Sequence, residues 1–197
     1  MNSATGQPAI EAIVIGASAG GVEALLHILE PLPAGFALPI IVVLHLPDQR
    51  HSQLAEVFSR RVALPVVEAG DKTLVEAGTL YFATPGYHLS VEQDRSFSLS
   101  LEPRVHHSRP AIDYLFESAS DAYGANLLAV LLTGANRDGA LGLAQVKQRG
   151  GLTVVQDPLE AQVATMPQAA LDLHQPDHIL TTRGIGRLLV ELERIAC

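Results

Sequence analysis

Apolar positions along this chain fall into two alternating kinds of run. Ala12–Ile15 (AIVI) and Pro39–Leu46 (PIIVVLHL) are nearly continuous, as expected of strands covered on both faces. Between them Val22, Leu25, Leu26 and Leu29 recur at i, i+3, i+4 and i+7, the spacing of one helix face, and Pro31 and Pro33 end the pattern. A second helix is expected from Ser52, with Leu54, Val57 and Phe58 on one side, and then a strand at Pro65–Glu68. Strand, helix, strand, helix, strand implies helical crossovers between parallel strands.

The middle of the chain breaks this rhythm. Thr79–Ala83, His88–Glu92 and Phe97–Leu101 are short, closely spaced and partly alternating, with turn chemistry at 93–96. They predict a small antiparallel β-hairpin near 79–101, attached to the main sheet. The helical period then returns at Ile112, Leu115, Phe116 and Ala119, opened by Pro110 and closed by Gly124. Leu127–Leu132 reads as a buried strand, Asp138–Arg149 as a helix, Leu152–Gln156 as a strand, Ile179–Leu180 as a short late strand and Ile185–Ile195 as a closing helix. The fold class is therefore α/β: a doubly wound, mostly parallel sheet in a Rossmann-like three-layer α/β/α sandwich. No linker or repeat divides the chain, so 1–197 is read as a single domain.

Composition narrows the function. Lys+Arg number 13 against 21 Asp+Glu, a net charge of −8, with no basic run to neutralise phosphates. Nucleic acid is not expected as a partner. The single cysteine, Cys197, excludes an internal disulfide. The N-terminus has no signal-peptide pattern, and no apolar run reaches the roughly 18 residues of a membrane helix. A cytoplasmic protein with no membrane insertion is expected.

Candidate chemistry gathers at strand ends. Gly16-Ala17-Ser18-Ala19-Gly20 is G-x-S-x-G between the first strand and the first helix. A sharp turn there lifts the Ser18 hydroxyl above the sheet, and the helix N-terminus offers free N–H groups to an oxyanion, Ala19 first, with Gly20 in the same loop. The same loop also reads as a phosphate cradle, or as a plain turn in which Ser18 caps the helix. Against a dinucleotide, Ser18 replaces the second glycine, and the second strand ends in His45 rather than a ribose-holding acid. His45 alone would pass for a hydrogen-bonded core residue, and Asp138 for a helix N-cap. At the carboxyl ends of parallel strands, they also fit a base and its orienting carboxylate, with Ser18 Oγ expected near His45 Nε2. The chain order Ser, His, Asp differs from the α/β-hydrolase order. His27, His51, His106 and His107 give no metal-ligand spacing, so neither metal nor cofactor is expected. Arg60, Arg61, Arg104, Arg109 and Arg137 are either solvated or a local attraction for an acidic partner.

These residues resemble the catalytic domain of bacterial chemotaxis protein-glutamate methylesterases (CheB type). The matching stretches run from about Ala12 to Leu192: IGASAGG at 15–21, LHLP at 44–47, ATPGYHL at 83–89, RPAIDYLFESAS at 109–120, LLTGANRDGALGL at 131–143 and QDPLEAQVATMPQAAL at 156–171. The resemblance implies hydrolysis of glutamate γ-methyl esters on the cytoplasmic helices of methyl-accepting chemoreceptors, releasing methanol, with deamidation of receptor glutamines in many members. It puts the nucleophile on Ser18, the base on His45 and the acid on Asp138. Two stretches depart from the family pattern: Ala19 stands where Thr is usual, and the site loop reads Thr133-Gly134-Ala135-Asn136 where the family has T-G-M-G, so that Ala135 replaces a Met that lines the site in the family. The family's receiver domain needs roughly 120 residues of its own, and none is expected here. Control then falls to a separate regulatory protein, or this chain is one piece of a larger one. Two rival functions remain: a receptor-binding module without turnover, and a nucleotide-binding domain.

Overall fold

The continuous apolar runs arise because each central strand feeds two cores. Alternate side chains of a strand point to opposite faces. In β1 (Ala12–Ala17), Ile13, Ile15 and Ala17 enter one core, whereas Ala12 and Val14 enter the other. In β2 (Ile40–Leu44), Ile40, Val42 and Leu44 separate in the same way from Ile41 and Val43. Only a sheet covered on both sides asks for such sequences. The computed structural model describes residues 9–46 and 53–196. The start of the second helix at Ser52, along with His51, lies outside the described residues.

α1 (Gly21–Leu29) follows β1, and α2 (Leu54–Ser59) follows β2. β3 (Val66–Glu68) and β4 (Leu80–Phe82) complete one wing of the sheet. β5 (His88–Val91) and β6 (Phe97–Ser100) precede α3 (Ile112–Tyr123). β7 (Leu127–Leu131), α4 (Ala140–Gln148), β8 (Leu152–Gln156), α5 (Thr165–Leu173), β9 (His178–Leu180) and α6 (Thr182–Ala196) build the other wing. The seven-stranded sheet has the order β3-β4-β2-β1-β7-β8-β9, and every pairing within it is parallel. The doubly wound expectation matches. β1 lies between β2 and β7, where the winding reverses. A crevice opens outside the strand ends at such a switch point.

Two elements differ from expectation. Leu80–Phe82 is a parallel strand of the main sheet, with Leu80 in register with Ile40 and with Val66. The antiparallel hairpin is β5–β6 alone, a separate two-stranded sheet packed through Leu89 and Phe97 into the α3 side of the core. Three residues are too few for the period to tell a buried parallel strand from a hairpin arm. The second is α5, which the sequence pattern did not predict. Pro167 is its third residue, in the first turn, where no intrahelical N–H bond is lost. No described helix is long and apolar enough to cross a membrane.

Candidate active site

The turn after β1 is tight for identifiable reasons. Ser18 N–H donates to Thr133 O at 3.0 Å, which extends the β1–β7 pairing by one step, and Gly21 N–H donates back to Ser18 O at 2.8 Å. Gly20 carries φ 79°, and a Cβ there would sit 2.6 Å from Gln162 Oε1, so glycine is required on both counts. α1 starts behind Gly20 with no side-chain cap, so the helix-capping reading of Ser18 does not hold. Ala19 and Gly20 are left as N–H groups with no acceptor among the described residues. Ser18 is half-buried and lines a cavity of about 520 Å³ together with Gly20, Glu23, His45 and Gln162.

Asp138 is not the cap of its own helix either. That place belongs to Gly139, at φ 90°. The Asp138 carboxylate is fully buried and reaches the neighbouring helix, where Oδ2 accepts from Ile112 N–H at 2.7 Å and Oδ1 from Asp113 N–H at 3.0 Å. Asp113 returns the arrangement: its Oδ1 accepts from Gly139 N–H at 3.0 Å and Gly142 N–H at 2.8 Å. Each carboxylate thus caps the other's helix, satisfying first-turn N–H groups that have no intrahelical partner. The helices approach closely enough because Ile112 fills the space a Cβ of Gly139 would need, 2.6 Å away. Burial pushes the Asp113 carboxyl up to about 6, against the pull of the Gly142 N–H and with the help of the Asp138 charge. His106 Nε2 lies 3.7 Å from the other oxygen of Asp113.

His45 follows β2, and its N–H donates to Ala17 O at 3.0 Å. Its side chain is 11% exposed and its Nε2 lies 2.8 Å from Asp138 Oδ2. An ionised carboxylate only accepts, so the proton of this bond resides on Nε2. The expected approach of Nε2 to Ser18 is therefore corrected: Asp138, fixed by the N-terminus of α3, occupies that nitrogen. The nitrogen left for a hydroxyl is Nδ1, and it lies 3.4 Å from Ser108 Oγ. Ser18 and His45 share the wall of one cavity, but no hydrogen bond joins them among the described residues.

A second set of polar groups holds the loops together. Thr133 Oγ1 lies 2.8 Å from Ala19 O and 3.2 Å from Val163 O, and accepts from Val163 N–H at 2.9 Å. Gln156 Oε1 accepts from Thr133 N–H at 2.8 Å, and its amide nitrogen donates to Glu160 at 3.1 Å. Met166 of α5 packs where a Cβ of Gly134 would lie, with Ser18 Cβ 3.0 Å from the same point. Ala135, the next residue, is exposed and does not line the Ser18 cavity. Asp113, Ser108, Thr133, Gln156 and Met166 were not singled out in the sequence. Their partners lie far along the chain and leave no local spacing to read.

Comparison with known proteins accords with this geometry. The family model described as CheB methylesterase matches residues 13–189. A Leptospira interrogans protein, provisionally named protein-glutamate methylesterase/protein-glutamine glutaminase, is 44% identical over 184 residues, covering 93% of this chain and 95% of its own. The protein-glutamate methylesterase FrzG of Myxococcus xanthus is 35% identical over 93% of this chain, which spans 55% of FrzG. The crystal structure of the Thermotoga maritima CheB methylesterase catalytic domain superposes with a TM-score of 0.89 at 32% identity, covering 94% of this chain and 100% of that one. With its parallel sheet, its switch-point crevice and this likeness along nearly its whole described length, the chain belongs to the CheB methylesterase family.

Proposed function

We propose that this chain is a serine hydrolase that demethylates glutamate γ-methyl esters on the cytoplasmic helices of chemoreceptors and deamidates receptor glutamines, in chemosensory adaptation. Its relatives carry the methylesterase and glutaminase names. The observation that carries the mechanism is the 2.8 Å bond from His45 to a buried Asp138, on a wall shared with Ser18.

His45 Nδ1 takes the Ser18 proton as Oγ attacks the ester carbonyl. Asp138 holds Nε2–H and stabilises the imidazolium, the role of a triad carboxylate with the ring nitrogens exchanged. The Ala19 N–H, with Gly20 beside it, faces the oxyanion. Collapse of the tetrahedral intermediate breaks the C–O bond, and the proton on Nδ1 leaves with methanol. Water then attacks the acyl-enzyme, gives its proton to Nδ1, and releases glutamate as Ser18 Oγ recovers its hydrogen. An amide substrate follows the same path with ammonia leaving.

The test is methanol release from methylated chemoreceptor fragments. Wild type releases methanol, and Ser18→Ala lowers kcat by about 10⁴ or more. Release by Ser18→Ala near the wild-type rate contradicts the mechanism. Receptor binding with no wild-type turnover would favour a receptor-binding module instead.

A further inference from the structure

α6 presents a row of arginines to solvent. Arg183, Arg187, Val190 and Arg194 recur at i, i+4, i+7 and i+11, which sets them along one face of the helix. The opposite face is anchored: Ile185 and Leu189 are buried in the core that also takes Leu25 and Ile28 of α1. Gly186 lets the two helices close, since a Cβ there would lie 3.2 Å from Ile28 O. Between them runs a groove of about 370 Å³, walled by His27 and Pro31 of α1 and by the arginine row, with Glu191 beside it.

The row stands out by its charge. Acids outnumber bases by 21 to 13, and other bases are matched to a carboxylate: Arg60 to Glu56, Arg61 to Glu30, Arg149 to Asp121 and Lys147 to Asp177. Arg183, Arg187 and Arg194 are exposed, and their side chains make no ion pair or hydrogen bond with the described residues. Arg183 and Arg187 are like charges four positions apart and repel each other, so the helix does not gain from them. The groove also continues toward the reacting centre: His27 lines both it and the cavity that holds Ser18 and His45.

We infer that this row is a docking site for an acidic stretch of the helical protein substrate, away from the turn that carries the ester or amide. The inference rests on the esterase reading above. α1 is about 10 Å across and a helix rises about 5.4 Å per turn, so the docked acids lie roughly two to three turns from the glutamate at Ser18. A guanidinium fork matches both oxygens of a carboxylate, and Pro31 and Val190 offer the same helix apolar contact. Such a remote contact is made equally in the ground and transition states, so it lowers KM and leaves kcat alone. Exposed pairs are individually weak, so Arg183 and Arg187 together are worth about 5-fold in KM, and less at high salt.

The experiment uses long helical receptor fragments with one methyl-esterified glutamate and Glu, Gln or Lys at the positions two to three turns away. Wild type shows a KM for the Glu fragment about 5-fold below that for the Gln fragment, at equal kcat. Arg183→Glu combined with Arg187→Glu loses that ratio and turns it toward Lys, a gain that misfolding cannot imitate. Equal KM for Glu and Gln, or a ratio that survives in the double variant, overturns the docking site. A difference that falls on kcat instead of KM also overturns it, because it places the acids at the reacting centre. Binding of the same fragments to Ser18→Ala, with and without the arginine changes, separates the two claims. Absence of methanol from every fragment, with binding that favours Glu only while the arginines are present, would overturn the esterase reading and support the docking site. Binding indifferent to the distant charges overturns the docking site whether or not methanol appears.

Discussion

Asp138 has no solvent exposure and three donors on its two oxygens. Ser18, on the neighbouring strand end, is half-buried at the wall of an open cavity, and its hydroxyl makes no hydrogen bond among the described residues. The carboxylate is fixed by two N–H groups at the N-terminus of α3 that also need it, so it belongs to the fold as much as to the chemistry. The hydroxyl belongs to the fold only through its backbone. A group that must stabilise a charge benefits from immobility and burial, since its dipoles and partners then need no rearrangement. A group that must meet a substrate has to be reachable. His45, 11% exposed, joins the two conditions.

Mutants should separate the two halves. The largest effect on activity is expected at Ser18, where alanine removes about 10⁴ or more of kcat while urea unfolding moves by less than about 0.5 kcal/mol. Asp138→Ala should lose activity and also stability, by about 3 kcal/mol, because two N-terminal N–H groups of α3 and the His45 ring lose their acceptor. Equal stability losses at the two positions would break the contrast.

Asp113 sharpens it through pH. Its carboxyl is pushed up to about 6 in the fold, against the usual value of 3.8. Between these values the folded chain holds the proton and the unfolded chain does not, so this group's contribution to stability falls as pH rises from 4 toward 6 and levels off above. The full change is at most ~3 kcal/mol. Asp113→Asn keeps an acceptor oxygen for Gly139 and Gly142 and should flatten this slope in urea titrations at pH 4.5 and 7. An unchanged slope would remove Asp113 from the account. The smallest effect is expected at Ser108, whose long contact with Nδ1 is worth roughly a few-fold in kcat on replacement by alanine.

Much of this was legible in the sequence, for a physical reason. β1, β2, β7 and β8 are covered on both faces, so burial writes itself into consecutive letters. Ser18, His45 and Asp138 stand at strand ends that a parallel sheet turns to one side, which made a shared crevice foreseeable. What stayed hidden depends on contacts between distant segments. Asp113 and Gly142 are 29 residues apart, and Ser108 and His45 are 63 apart. Which imidazole nitrogen faces Asp138 follows from how α3 docks on α4, and no spacing encodes that. β4 is too short for its period to reveal a parallel partner.

The central claim is that His45, held by Asp138, activates the Ser18 hydroxyl and not that of Ser108. Labelling with a fluorophosphonate, followed by peptide mapping, tests it most directly, because the reagent is captured by the serine that the base activates. The account predicts a single adduct on Ser18, lost in His45→Ala and retained in Ser108→Ala. An adduct on Ser108, or one on Ser18 that forms equally fast without His45, would contradict it.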